Sequence, residues 1–239
     1  MAQTEAAKKA KEFHETLKVD AENRLVQKFP ERIIHLNELL KMPEFRIADI
    51  KCKLEIPAIN KVENNVIDCK GKTPGKGPRL DSDSRDSTPG QLLIPSNKHI
   101  VDITKIIKTN VKQLAEDTNA LKMWVLLLIP KIEDGNNFGV SVQEVTLAKI
   151  QQFEKEATNY LEKISRYHAS RGKLITKVCK YPHVEDYRCA VEELDEKQYL
   201  SMFHYMREIR NRYSALHDTV IKNFEKIKNP RSSNAGSLY

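Results

Sequence analysis

The first residues to consider as metal ligands or as proton carriers at neutral pH are the seven histidines of this chain. A di-metal centre in a helical bundle needs a Glu-x-x-His repeat on two facing helices. Neither His14 nor His204 has a glutamate three residues before it, and Glu31 precedes His35 by four residues. The spacing therefore predicts no metal site and no cofactor, and it indicates that the histidines are polar residues at or near the surface.

The next candidates, as nucleophiles or as zinc ligands, are four cysteines: Cys52, Cys69, Cys179 and Cys189. They lack the paired spacing of a zinc site, and no nucleophile elbow or Cys-His pairing occurs in a recognisable context. The charged start of the chain, Met1–Lys18, does not have the pattern of a secretory signal, so we expect reduced thiols inside a cell. Cys179 and Cys189 fall within helical patterns, which predicts small buried hydrophobic residues there.

Pairs of carboxylates could act as a general acid and a general base, but those of this chain are neighbours along a helical pattern. Glu192–Glu193 and Asp195–Glu196 are predicted to form a solvated helix face. The sequence therefore predicts a protein that has no catalytic residues of its own and is not an enzyme.

The composition favours helices as the elements that position any functional residue. The chain has 239 residues, of which 40% are hydrophobic and 31% charged, with only 8 Gly and 10 Pro. So few glycines argue against a β-sandwich, a dinucleotide-binding fold or a phosphate-loop enzyme, because all of these need glycine at tight turns. No stretch approaches ~18 apolar residues, which predicts no membrane partner. The net charge of +7 comes from interspersed signs and predicts no specific nucleic-acid surface.

One segment differs in composition from the rest of the chain. Four of the eight Gly and three of the ten Pro lie between Gly71 and Gly90, among Ser, Asp and Lys. Such a segment cannot bury enough apolar surface to offset its ordering entropy. We therefore predict a flexible linker over residues 61–95, which separates an N-terminal helix and the segment that follows it (1–60) from three C-terminal helices (96–239).

The first two helices are predicted from amphipathic patterns and their boundaries. The first pattern follows apolar residues from Phe13 to Leu40, and Pro30 is expected to kink the helix or to restart it. The second helix can be capped by Ser96 or Asn97.

The third and fourth patterns are the longest. They run over residues 142–178 and 184–227, and each is followed by a proline that ends it. Helices of about 40 residues are rods near 60 Å long. They predict an elongated all-α four-helix bundle, a shape suited to sideways packing in an oligomer.

The connection between the second and third helices, residues 129–144, is the most distinctive segment of the chain. Its middle is rich in Asp, Gly and Asn, which form compact turns with exposed backbone and amide donors. Two stiff helices would hold such a turn at one end of the bundle. Two interpretations are open: a plain helix connection, in which Phe138 packs the turn down, and a recognition element.

The segment after the fourth helix, residues 229–239, also has two interpretations. Its residues are small or polar apart from the Pro near its start and the last pair, Leu238 and Tyr239. Such an end is commonly frayed. An apolar-aromatic pair with a terminal carboxylate is also a ligand for a pocket, and several copies on one assembly would bind by avidity.

The sequence IPKIEDGNNFGVSVQE at residues 129–144 closely resembles the activation loop of the 11S proteasome activators, the REG family. The resemblance extends over residues 101–239, and KFPERIIHLNELLKMPEF near the N-terminus matches more weakly. Several stretches resemble the gamma class rather than the alpha or beta class: MWVLLLIP, KISRYHASRGKLITK, KYPHVEDYR, ELDEKQY and KNPRSSNAGSLY.

This resemblance implies a ring of seven subunits, each a four-helix bundle, that docks without ATP on the ends of the core 20S proteasome. The docking tail would be Ser237, Leu238 and Tyr239, with the Tyr239 carboxylate as the anchor. The activation loop would open the gate of the core, with Asn136 at the matching key position. That loop comprises Glu133, Asp134, Gly135, Asn136, Asn137, Phe138 and Gly139. The implied cargo is peptides and unfolded proteins without ubiquitin.

The gamma class also implies a homoheptamer in the nucleus, with the cytoplasm as the alternative. The class usually carries a basic cluster in its linker, but here Lys70, Lys72, Lys76 and Arg79 are scattered, so the nuclear expectation depends on the resemblance alone. Lys173 aligns with a channel-side position and is either a residue that influences which peptides pass or a solvated helix lysine. The alternative function is a helical scaffold or adaptor without proteasome binding.

Overall fold

Helices make up nearly all of the chain that the computed structural model describes, which is residues 4–45, 94–131 and 137–231. Rod 1 consists of α1 (Glu5–Asn23), a π-helical turn (Arg24–Lys28) and α2 (Phe29–Lys41), and a 3-10 turn (Pro43–Phe45) follows it. Rod 2 is α3 (Lys98–Leu128), rod 3 is α4 (Phe138–Lys180), and rod 4 is α5 (Glu185–Lys222) followed by α6 (Phe224–Lys228). The three described ranges contain no strand, so the predicted all-α four-helix fold is confirmed.

Some sequence predictions fall outside these ranges. The predicted linker, residues 61–95, lies outside the described residues except for Ile94 and Pro95.

Within residues 4–45, 94–131 and 137–231, no helix combines the length and the apolar character that crossing a bilayer requires.

Side-chain caps fix the starts of two helices. The Thr4 hydroxyl accepts a hydrogen bond from the backbone N–H of Ala7 at 3.4 Å and begins α1. Asn97 Oδ1 accepts from the N–H of Ile100 at 3.2 Å and begins α3. Of the two caps predicted for α3, Asn97 is therefore the one used, because its carbonyl oxygen satisfies an N–H in the first turn.

Pro30 interrupts rod 1 as predicted, and it does so without ending the rod. The N–H of Phe29 donates to the carbonyl of Arg24 five residues earlier, which makes the preceding turn π-helical, and Pro30 then lies in the first turn of α2. A proline inside an α-helix has no N–H to donate, and its ring clashes with the preceding turn. The wider π turn gives that ring room, so the rod continues.

Rod 4 has a break that the sequence pattern did not predict. The pattern was continuous to Ile227, but α5 ends at Lys222 and α6 begins at Phe224. Asn223 lies between them, and its side-chain N–H donates to the carbonyl of Thr219 at 2.8 Å. An asparagine that bonds to the backbone in this way competes with the helix ladder.

The four rods pack along their lengths around one core. α3 lies against α4, α4 against α5, α1 against α3, and α2 against α5. The largest fully buried side chains come from all four rods and include Phe29, Trp124, Ile150, Tyr199 and Tyr213. Burying an apolar side chain such as Phe29 or Ile150 is worth about 1.5–3 kcal/mol relative to exposure, so this core stabilises the packing of the rods.

The prediction that Cys179 and Cys189 are buried is wrong. Cys179 and Cys189 are both free and exposed. Val178 is the last buried residue of α4, and Cys179 is one position further round the helix, on the solvent side. A helical pattern alone does not say on which face a cysteine lies, and the apolar stripe decides it here.

The predicted solvated face of α5 is also wrong at one position. Glu192, Glu193 and Glu196 are exposed, but Asp195 is only 1% exposed. Asp195 lies four residues after Val191 and four before Tyr199, so all three share the buried face. Its carboxylate is paired there, because Arg171 Nε donates to both oxygens at 3.0 and 3.1 Å.

The prediction that the histidines lie at or near the surface is confirmed. All seven histidines lie within the described ranges, and each is exposed or only partly buried.

Candidate functional site

The predicted site residues divide between described and undescribed parts of the chain. Asn137, Phe138 and Gly139 are described, whereas Glu133, Asp134, Gly135 and Asn136 lie outside the described residues, as do Ser237, Leu238 and Tyr239. The described part of the candidate site therefore consists of the residues that flank these segments. The flanks are residues 128–131 at the end of α3, residues 137–139 at the start of α4, and residues 227–231 at the end of rod 4.

One arginine contacts both flanks of residues 132–136. Arg231 Nη1 donates to the carbonyl oxygen of Lys131 at 3.0 Å, and its Nη2 donates to Asn137 Oδ1 at 3.3 Å. Lys131 is the last described residue before the gap and Asn137 is the first after it. The start of the C-terminal segment is thus hydrogen-bonded to both ends of the candidate loop.

A buried glutamine joins three helices just beneath this contact. Gln143, on α4, is fully buried, and its Nε2 donates to the carbonyl of Leu128 at 3.0 Å and to the carbonyl of Ile227 at 2.7 Å. The last carbonyls of a helix have no partner within the helix. One side-chain amide therefore satisfies two such carbonyls and fixes the end of α3 and the end of α6 to α4.

Gly139 allows the closest approach between α4 and the C-terminal segment. A Cβ atom built on Gly139 would lie 2.0 Å from the carbonyl oxygen of Pro230 and 2.5 Å from its Cα. Any other residue would force the first turn of α4 and Pro230 apart. The glycine is required by this approach.

Phe138 does not pack into the bundle. Its side chain is 67% exposed, and Lys226 Nζ lies 4.6 Å from the centre of its ring. The interpretation in which Phe138 packs the turn down is therefore wrong, because the first turn of α4 presents this ring to solvent and to an ammonium group.

Rod 1 braces the same end of the bundle. Trp124 is fully buried, its ring stacks on Phe224 with centroids 5.6 Å apart, and its Nε1 donates to Glu22 Oε1 at 3.2 Å. Lys228 Nζ donates to the other oxygen of Glu22 at 3.1 Å. Glu22 therefore connects rod 1 to α3 and to α6 beside the candidate site.

Lys173 lies away from this end, on the second half of α4, and is exposed. Both interpretations of this residue require an exposed side chain, so both stay open.

The described side chains at this end of the bundle connect separate parts of the chain. Within the described ranges, no three His, Cys, Asp or Glu side chains are grouped in a way that could hold a metal ion. The side chains at this end of the bundle donate hydrogen bonds to carbonyls and position chain segments. The geometry brings the described edges of two segments, one internal and one C-terminal, together at one end of the bundle.

Sequence reasoning missed the residues that build this base, namely Gln143, Pro230 and Arg231. Gln143 had a usable signal, because it lies in register with the buried stripe of α4, where a polar side chain needs an internal partner. Arg231 had none, since its acceptors are 94 and 100 residues away in the chain.

The chain matches two family models. Residues 4–61 match "Proteasome activator PA28, N-terminal" and residues 93–237 match "Proteasome activator PA28, C-terminal". Among curated relatives, Proteasome activator complex subunit 3 of Homo sapiens is 43% identical over 97% of this chain and 95% of its own length. The same subunit of Gallus gallus is 42% identical over the same shares.

Solved structures show the same likeness. The crystal structure of the 11S subunit of the Plasmodium falciparum proteasome, PA28, superposes with a TM-score of 0.73 and 30% identity, over 97% of both chains. A chain from the crystal structure of an archaeal 20S proteasome in complex with a mutated P26 activator superposes with a TM-score of 0.62 and 11% identity, over 94% of both chains, and shares the fold.

Proposed function

The chain belongs to the proteasome activator PA28 family, and we propose from this premise that it forms a heptameric ring that docks without ATP on the ends of the core 20S proteasome and opens its gate. The 43% identity to subunit 3 supports the gamma class and a ring of identical copies. The observation that carries the proposal is the shared base at one end of the bundle, where Arg231 contacts both flanks of the candidate loop.

The docking element is the tail, Ser237, Leu238 and Tyr239, with the Tyr239 carboxylate as its anchor. One such short segment binds weakly, but the tails of one ring engage together, so the second and later contacts are intramolecular. The proposal is supported by the position of Pro230 and Arg231, from which every tail starts at the same end of its bundle.

The gate-opening element is the activation loop, Glu133 to Gly139, with Asn136 as its key residue. A ring opens the gate if it binds the open state of the core more tightly than the closed state. Loops that leave the bundle from fixed flanks lose less conformational entropy on contact, so more of the binding free energy is available for this difference. The hydrogen bonds of Gln143 and Arg231 support such fixed flanks.

The activator contributes no catalytic residue in this proposal. Peptide bonds are cut inside the core proteasome, and the ring controls the entry of peptides and of unfolded proteins without ubiquitin. Lys173 faces the channel of the ring and influences which peptides pass. The homoheptamer acts in the nucleus, and neither a membrane nor a specific nucleic acid is a partner.

We also propose the division of the chain that the sequence predicted. Residues 1–60 form the N-terminal part of the bundle, residues 61–95 a flexible linker, and residues 96–239 the three C-terminal helices with loop and tail. The ranges of the two family models, 4–61 and 93–237, support this division. The family match also removes the reason to prefer a scaffold or adaptor without proteasome binding.

The proposal is tested by mixing the purified ring with latent core proteasome and fluorogenic peptides. We expect the wild-type ring to stimulate cleavage. The variant Asn136→Tyr should dock with unchanged affinity but give no stimulation, because a bulky ring replaces the key side chain of the loop. Deletion of Ser237 to Tyr239 should abolish docking and leave the ring assembled.

The two variants serve as controls for each other, since one separates stimulation from docking and the other removes docking itself. Absence of stimulation at saturating wild-type protein would contradict the proposed function. Docking that survives the tail deletion would refute the anchor, and loss of docking in Asn136→Tyr would move Asn136 from gating to binding.

A further inference from the structure

Arg231 is the side chain at which the proposed docking tail and the proposed activation loop meet. It follows Pro230, whose carbonyl and Cα pack against Gly139, and it is only partly exposed. Its guanidinium group spans the two flanks of the loop, with one nitrogen on the main chain of Lys131 and another on the side chain of Asn137.

The backbone that leads to Arg231 is held in place. Asn229 N–H donates to the carbonyl of Glu225 at 2.8 Å, and Gln143 holds the carbonyl of Ile227 at 2.7 Å. The contact between Gly139 and Pro230 then fixes the last residue before Arg231 against α4. Binding of the segment after Arg231 would therefore act on a part of the chain that also contacts both flanks of the loop.

The chemistry of arginine suits this place. A guanidinium group is planar and carries five donors in a fixed fork, so it can hold two acceptors in a set relation to each other. A lysine ammonium is a point charge on a flexible stem and fixes the relation between two acceptors less well.

We propose that Arg231 is a positioning residue that couples docking of the tail to the activation loop. This inference rests on the proposed function and deepens it, because it assigns the link between the two elements. With Arg231 in place, docking of the segment that follows it holds Lys131 and Asn137 in the relation that presents the loop to the gate. Without it, the tail still docks, but the loop is presented correctly in a smaller fraction of bound rings.

The size of the effect follows from the two hydrogen bonds. A hydrogen bond at a partly exposed site is worth a factor of about two to ten in an equilibrium constant. We therefore expect Arg231→Ala to lower maximal stimulation at saturating activator about three- to tenfold, with affinity for the core proteasome changed less than about twofold.

The experiment measures affinity and maximal stimulation separately for assembled rings. Affinity is read from binding of the ring to immobilised latent core proteasome, and stimulation from fluorogenic peptide cleavage at saturating ring. Arg231→Lys should recover part of the lost stimulation. The matched control is Arg188→Ala, which removes the same charge from an exposed arginine at the opposite end of rod 4 and should change neither quantity.

A second variant tests the same link from the other side. Asn137→Ala removes the acceptor on α4, and the double variant with Arg231→Ala should be no worse than the more impaired single variant, because both remove one interaction. If Arg231→Ala fails to assemble, Asn137→Ala alone tests the link, and full stimulation by that variant would overturn the proposal.

The possible results separate clearly. Weaker docking of Arg231→Ala with unchanged maximal stimulation would overturn the proposal and make Arg231 a docking contact, and so would additive losses in the double variant. Full stimulation by both single variants would also overturn it. A wild-type ring that neither docks nor stimulates would instead contradict the proposed function.

Discussion

At the scale of single residues, the bundle is specified by buried carboxylates that have several donors. Asp117 is 1% exposed and accepts from Arg24 Nη1 at 2.8 Å, from the Tyr213 hydroxyl at 2.7 Å and from Gln113 Nε2 at 3.2 Å. Burial of a charge costs several kcal/mol unless it is paired and hydrogen-bonded. The donors come from rod 1, from rod 4 and from Asp117's own helix, so the carboxylate fixes how these three rods pack against one another.

Tyr213, one of the donors to Asp117, makes the protein less stable as the pH rises in the alkaline range. Burial of the Tyr213 hydroxyl, with the nearby Asp117 charge, raises the pKa of Tyr213 far above its ordinary value. A tyrosine in the unfolded chain ionises near pH 10. Its contribution is therefore complete below about pH 10, and it is lost by up to about 1.4 kcal/mol per pH unit above that.

We predict that Tyr213→Phe removes this part of the alkaline loss. At neutral pH the variant should be less stable by about 1–3 kcal/mol, because Asp117 loses a donor. The measurement is urea unfolding at fixed protein concentration between pH 8 and about 11. Tyr181→Phe, at an exposed tyrosine, is the control. An alkaline slope that stays the same in Tyr213→Phe would show that another group is responsible.

At the scale of elements, the start of α4 and the end of rod 4 determine each other's position. The two meet where Gly139 lies against Pro230, and a side chain at residue 139 would have to displace backbone rather than a flexible group. The same helix contains a second glycine, Gly172, with no atom within 4 Å of where a Cβ would lie.

Substitution of these two glycines by alanine should change the stability of the protein in opposite directions. Gly139→Ala should destabilise the protein by about 1–3 kcal/mol, because the backbone of Pro230 leaves no room for a Cβ atom at residue 139. Gly172→Ala should stabilise it by about 0.5–1 kcal/mol, since alanine is the better helix former at an exposed position. Chemical unfolding of both variants checks the difference, and a gain in stability for Gly139→Ala would refute the close approach.

The elements were largely predictable from the sequence because their signals are local. The Asn97 cap, the interruption at Pro30 and the long stripes of α4 and α5 each depend on residues within one or two turns. The buried position of Asp195 was available from its register with Val191 but was missed. The contacts of Arg231 and Gln143 were out of reach, because they join residues 15 to 100 positions apart.

At the scale of the whole molecule, a single copy leaves large apolar side chains exposed along rod 1. Phe13 and Val19 are 60% exposed, Val26 is 56% exposed and Ile34 is 65% exposed. A contiguous exposed apolar surface is typical of a site that another protein covers, and we propose that these four side chains belong to one. In the proposed ring, a neighbouring copy covers this one.

The ring predicts both a mass and a sensitive position. Light scattering should give about seven times the 27.5 kDa of one chain. Val26→Glu should reduce that mass, because it places a charge on the covered surface, whereas the neighbouring Gln27→Glu adds the same charge at a polar position and should reduce it less. A monomeric wild-type protein, or equal effects of both variants, would contradict this assignment of the interface.

The contact of Arg231 also limits how parts can be exchanged between relatives. Lys131 takes part only through its main-chain oxygen, so a transplanted sequence can carry almost any residue there. Asn137 takes part through its side chain, so a chimera that keeps Arg231 must also keep an acceptor at residue 137. Loop and tail should therefore be transplanted together, and a graft of either alone should yield a ring that docks on the core proteasome but stimulates it poorly.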